Sequence, residues 1–93
     1  KFIRIAYLRL AANKDDLGQY LGALQDVNEY IKMRQEWSVG YQIRGEIKLN
    51  MGEAYSKYAC DDFNLALEVS LKNDDEDEET QQEIQKLIDD NCK

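Results

Sequence analysis

The chain has neither histidine nor proline among its 93 residues. Without histidine, His-based catalytic triads and histidine-ligated zinc sites are excluded. Without proline, nothing removes a backbone donor inside a helix, which suits a chain made almost wholly of helices. Cysteine is scarce: Cys60 and Cys92 are the two present, too few for a disulfide framework. No apolar run approaches the ~20 residues that a membrane-crossing helix needs. Also lacking are a phosphate-cradling glycine loop, a nucleophile–base pairing and a metal-ligand cluster beyond scattered carboxylates. The sequence therefore supports no enzyme, no cofactor and no metal site. Glu46, Glu53, Asp61 and Asp62 read as helix-surface and capping charges.

Positive charge is in deficit, 12 Lys and Arg against 19 Asp and Glu, for a formal net charge of -7. Much of the excess sits in one run, Asp74 to Glu79. This balance argues against nucleic acid and anionic membrane as partners and permits a basic or neutral protein. Hydrophobic content is 43%, too high for a disordered chain. The length is that of one small domain, 1–93, which buries roughly 60% of its unfolded surface. The chain opens Lys1-Phe2-Ile3 rather than with methionine, so it reads as an excised domain or a processed product. The compartment is open, with the cytoplasm weakly favoured.

Apolar spacing predicts about five helices. In the first, from Arg4 to about Leu17, Tyr7, Leu10, Ala11 and the stem of Lys14 share one face, flanked by Ile5 and Leu8. Asp15, Asp16 and Gly18 signal its end. Tyr20, Ala23, Leu24, Val27, Tyr30 and Ile31 mark a second, from Tyr20 to Met33. Ser38 is a plausible N-cap for a third, from Val39 to Met51. Gly52 breaks it. A fourth runs from Glu53 to Lys72 with Tyr55, Ala59, Phe63, Ala66 and Leu67 on one face. In the fifth, Ile84, Leu87, Ile88 and Cys92 form a stripe, and Thr80 and Glu83 have capping-box spacing. The acidic run before it lies where a helix macrodipole favours negative charge.

The first four helices repeat. Tyr7, Ala11 and Gly18 recur 34 residues later as Tyr41, Gly45 and Gly52. Ala23, Asp26, Val27 and Tyr30 recur 36 residues later as Ala59, Asp62, Phe63 and Ala66. The simplest account is a two-residue extension between Gly52 and Ala59. Small residues at Ala11, Gly45, Ala23 and Ala59 would let helices approach, and Tyr7, Tyr41, Tyr20 and Phe63 would fill the grooves between them.

This helix-turn-helix period, with Tyr7, Leu10, Ala11, Gly18, Tyr20, Ala23 and Val27 in one copy and Tyr41, Gly45, Gly52, Ala59, Phe63 and Ala66 in the next, resembles the tetratricopeptide repeat. The chain departs from that pattern at Tyr30, usually a small residue, at Arg44, usually leucine, and in the lack of a closing proline. The resemblance implies an α-α superhelix of antiparallel hairpins, with repeat one at 4–37, repeat two at 38–73 and a capping helix at 74–93. It also implies a scaffold that binds a peptide or protein on a concave face of first helices. That face would carry Ile5, Leu8, Arg9, Ala12 and Asp15, then Val39, Gln42, Ile43, Glu46 and Asn50. One subset of the family clamps chaperone carboxylates with lysine and asparagine; Leu8, Ala12, Gln42 and Glu46 stand at those positions, so that clamp is absent. The alternative reading is structural: an end segment of a longer solenoid, or a homodimer through an N-terminal flank of Phe2, Ile3 and Ala6.

Two further readings complete the sequence. Cys60 reads as a small half-buried residue and Cys92 as a terminal thiol, a bridge between them requiring the last helix to fold back. Trp37 reads as a packing residue at the repeat junction, and Tyr58 as exposed.

Overall fold

The periodicity becomes five helices in the computed structural model, which describes residues 2–92, with side chains from Ala6 onward. They are α1 (Phe2–Asp16), α2 (Tyr20–Met33), α3 (Ser38–Asn50), α4 (Ser56–Lys72) and α5 (Glu78–Asn91). No strand occurs among the described residues, so the chain is all-α. The principal packing is α1 on α2 and α3 on α4, with α2 on α3 and α4 on α5 joining the pairs. The molecule measures 36 × 31 × 17 Å, a slab about two helices thick.

Small residues set how closely the helices pack. Ala11, Ala23, Ala59 and Phe63 are fully buried. A Cβ on Gly45 would fall 2.6 Å from Phe63 Cε1 and 3.1 Å from the Ala59 carbonyl, so α3 meets α4 at a distance only glycine permits. Between α2 and α3, Gly40 does the same against Ile31 and Tyr30. The turns after α1 and α3 run through Gly18 at φ +76° and Gly52 at φ +121°, conformations costly for a residue with a side chain. After Gly52 the chain makes a short 3-10 turn, Glu53–Tyr55, before α4. That turn takes up the two extra residues of the second hairpin, and Tyr55 is exposed on it rather than packed.

Leu10 also departs from expectation. Placed by sequence on the packed face of α1, it is 45% exposed. The start of α3 differs too. Trp37, with extended backbone, holds the N-cap position and makes no side-chain cap. Ser38 lies inside the helix, and its backbone N–H donates to Glu76 Oε2 at 2.8 Å, while its hydroxyl donates to Glu76 Oε1. The cap of α3 thus comes from 38 residues away. Nearby, Asn73 Nδ2 donates to the Glu36 carbonyl, so the segment before α5 is tied both to the first residue of α3 and to the segment before it.

Helix α5 is capped by Asp77, whose carboxylate accepts from the Thr80 N–H at 2.9 Å. Thr80 is therefore the recipient of the cap rather than its donor, which replaces the Thr80–Glu83 box. That hydrogen bond, with the Thr80 hydroxyl second, holds the Asp77 carboxyl below its ordinary pKa. Ile84 is fully buried in the core, against which Leu67, Val69 and Ile88 also pack. At the far end Cys60 and Cys92 form a disulfide with Cα atoms 5.7 Å apart. This corrects the reading of two unpaired thiols: α5 does fold back over α4. Such bridges persist in oxidising compartments and are rare in the cytosol, which runs against the cytoplasmic expectation.

Candidate interaction face

Two ion-pair systems fix the hairpins that carry this face. Lys14 Nζ lies 2.8 Å from Asp26 Oδ2, joining α1 to α2. Lys48 Nζ lies 2.8 Å from Asp62 Oδ2, joining α3 to α4 at the matching positions. Arg44 adds a second cation on Asp62 Oδ1 and reaches back to Asn28 Oδ1 on α2 at 3.0 Å. Asp62 is 4% exposed, so these cations offset what would otherwise be an isolated buried charge. Arg44 also lies 5.5 Å over the Tyr41 ring. The position where the repeat pattern favours leucine is thus filled by an arginine that links three helices.

The residues assigned to the face from sequence do not all behave alike. Leu8 and Ile43 are half-buried and pack against the core. Arg9 and Ala12 are exposed on α1. Asn50 Nδ2 donates to both carboxylate oxygens of Asp15, at 3.0 and 2.9 Å, joining the ends of α3 and α1. Gln42 Nε2 donates to Glu46 Oε1 along α3. Val39 is 37% exposed. The assignments of Ile5, Phe2 and Ile3 fall outside the described side chains.

Beside Val39 and Gln42 the structure forms a groove of about 380 Å³ against the start of α5, lined also by Trp37, Asp75, Asp77, Thr80 and Glu83. Trp37, Val39 and Gln42 line its α3 side and carboxylates its α5 side, and the Ser38–Glu76 contact described above joins the two. Trp37 is half-buried and borders a second, larger opening of about 710 Å³ with Val69 and Lys72. It therefore faces solvent on two sides. The contribution of α5 was not assigned to the face from sequence. Its signal was the acidic run, but only the fold places Asp75, Asp77 and Glu83 opposite Val39.

Among the described residues, no group of three or more acidic or cysteine side chains is arranged to hold a metal ion. No helix among them is long and apolar enough to cross a membrane. No protein-family model matches the chain, and comparison with curated proteins and with solved structures gives no match.

Proposed function

We propose that this chain is a protein-interaction module of the tetratricopeptide-like kind, holding a peptide segment of a partner protein along α3 between α1 and α5. The recurrence of Lys14–Asp26 as Lys48–Asp62 supports the repeat reading, because the same cross-helix contact is built twice at the repeat spacing. The observation that carries the binding reading is the groove where Val39, Gln42 and Trp37 face Asp75, Asp77 and Glu83. Val39 and Trp37 give contact area, and carboxylates of one sign on the opposite side select charge. The segment that fits has an apolar residue for Val39 and Trp37 next to lysine or arginine for the α5 carboxylates. A rigid face of this kind binds without ordering itself first, which lowers the cost of association.

Trp37 is the only tryptophan and lines the groove, so its fluorescence reports occupancy. The test titrates the protein with synthetic peptides that share an apolar anchor and carry basic, neutral or acidic neighbours. Basic peptides bind, salt weakens them, and Glu83→Lys weakens them further while leaving the unfolding midpoint in place. Equal response to acidic and basic peptides, or indifference to Glu83→Lys, overturns the assignment.

A further inference from the structure

The 34-residue offset allows α1 and α3 to be compared position by position. Ala6, Leu10 and Asn13 of α1, with Leu17 just after it, correspond to Gly40, Arg44 and Ile47 of α3, with Met51 just after it. In α3 this strip is covered, its first two positions by the second helix of the preceding hairpin. Gly40 is pressed against Ile31 and Tyr30, Arg44 bonds Asn28, Ile47 is 0% exposed, and Met51 packs against the core. In α1 the same strip is uncovered: Ala6 and Asn13 are exposed, Leu10 is 45% exposed and Leu17 is 72% exposed. The opposite end of the stack is closed by α5, which covers α4 and is pinned at both ends.

We propose that the strip Ala6–Leu10–Asn13–Leu17 is a docking face for one occupant: a further helical hairpin of this type, whose second helix lies on α1 as α2 lies on α3. The differences between the two strips specify that helix. Leu10 stands where Arg44 reaches Asn28, so the docking helix carries an apolar residue where α2 has Asn28. Ala6 already bears the Cβ that Gly40 could not accommodate against Ile31 and Tyr30, so the docking helix carries small residues where α2 has Ile31 and Tyr30. The chain's own α2 is therefore an imperfect fit to its own α1. This surface is separate from the groove at α3 and α5, and its assignment stands or falls independently of the peptide-binding reading.

The test inserts a second copy of residues 4–37 between Ile3 and Arg4 of the full chain, once unaltered and once with Asn28→Leu, Tyr30→Ala and Ile31→Ala in the inserted copy. The altered insert unfolds with the rest in a single thermal transition, at a higher midpoint than both the parent and the unaltered insert. Amide exchange in the original α1 slows by about tenfold or more as its fluctuations become coupled to the stack. Leu10→Glu with Leu17→Glu in the original α1 cancels the gain, yet leaves the parent chain's midpoint unchanged because both side chains are exposed there. An insert that melts separately with α1 exchange unchanged overturns the proposal. So does a parent chain that sediments as a dimer dissociated by Leu10→Glu, since the face would then belong to a second copy of this chain.

Discussion

Lys48 holds Asp62 at 2.8 Å across α3 and α4, and Asp62 is nearly buried while its cation remains about one-quarter exposed. The carboxylate is thus the member of the pair that depends on the other. Asp62→Ala leaves Arg44 and Lys48 facing each other without their shared anion, and is expected to cost about 3 kcal/mol. Asp26→Ala, which releases only the single, one-third exposed Lys14, costs less. Urea unfolding of the two variants measures both. Equal small losses would remove the argument that the second hairpin is braced more firmly than the first.

Packing at Gly45 and Phe63 gives a second expectation. Phe63→Ala empties the centre of the second hairpin and costs about 3–5 kcal/mol. Gly45→Ala drives a methyl into the Phe63 ring and costs about 1–3 kcal/mol. Because the new methyl grows into space that Phe63 vacates, the double variant costs less than the two losses added. Additive losses would mean that the two residues do not share a boundary.

Reduction of Cys60–Cys92 tests how α5 is held. The bridge spans 32 residues, so opening it lowers stability by about 3–4 kcal/mol through the freed chain. Thermal unfolding with and without reductant, beside Cys60→Ser with Cys92→Ser, reads this directly. Labelling of both thiols in unreduced, folded protein would refute the bridge.

The acidic run separates into residues with and without structural roles. Glu76→Ala strands the Ser38 N–H and is expected to cost about 1–3 kcal/mol, whereas exposed Asp74→Ala stays within about 0.5 kcal/mol. Asp77 supplies a pH dependence. Its carboxyl is depressed in the folded chain, so its contribution is complete above the unfolded value of about 3.9 and disappears as pH falls through the lower folded value. The stability difference between the parent and Asp77→Ala therefore shrinks over that acid window. A constant difference down to the strongest acid would contradict the cap.

What the sequence conveyed followed from periodicity and from small residues at fixed spacing. The bounds of α2, the glycine turns and the buried set Ala11, Ala23, Ala59 and Phe63 were readable because each depends on local pattern. Glu76 on Ser38, Asn73 on Glu36 and Cys60 on Cys92 were not, because each depends on where α5 docks, and no spacing rule encodes that. Leu10 misled for a related reason. A repeat pattern assigns it to a packed face, but the face needs a neighbouring helix to be covered. At the candidate groove, Val39 and Gln42 were legible from repeat register, while Asp75, Asp77 and Glu83 required the fold.

The long reach from Glu76 to Ser38 bears on the order in which the chain acquires its structure. A stack of hairpins ordinarily assembles by contacts between sequence neighbours, and each unit can form before the next exists. Here the first turn of α3 lacks its acceptor until residue 76 has arrived, and α5 is then locked to α4 at its other end. The N-terminus of α3 is consequently completed by chain that follows it. The second hairpin and its cover are thus joined by contacts of long sequence separation, a kind that forms more slowly than local contacts such as those of α1 and α2.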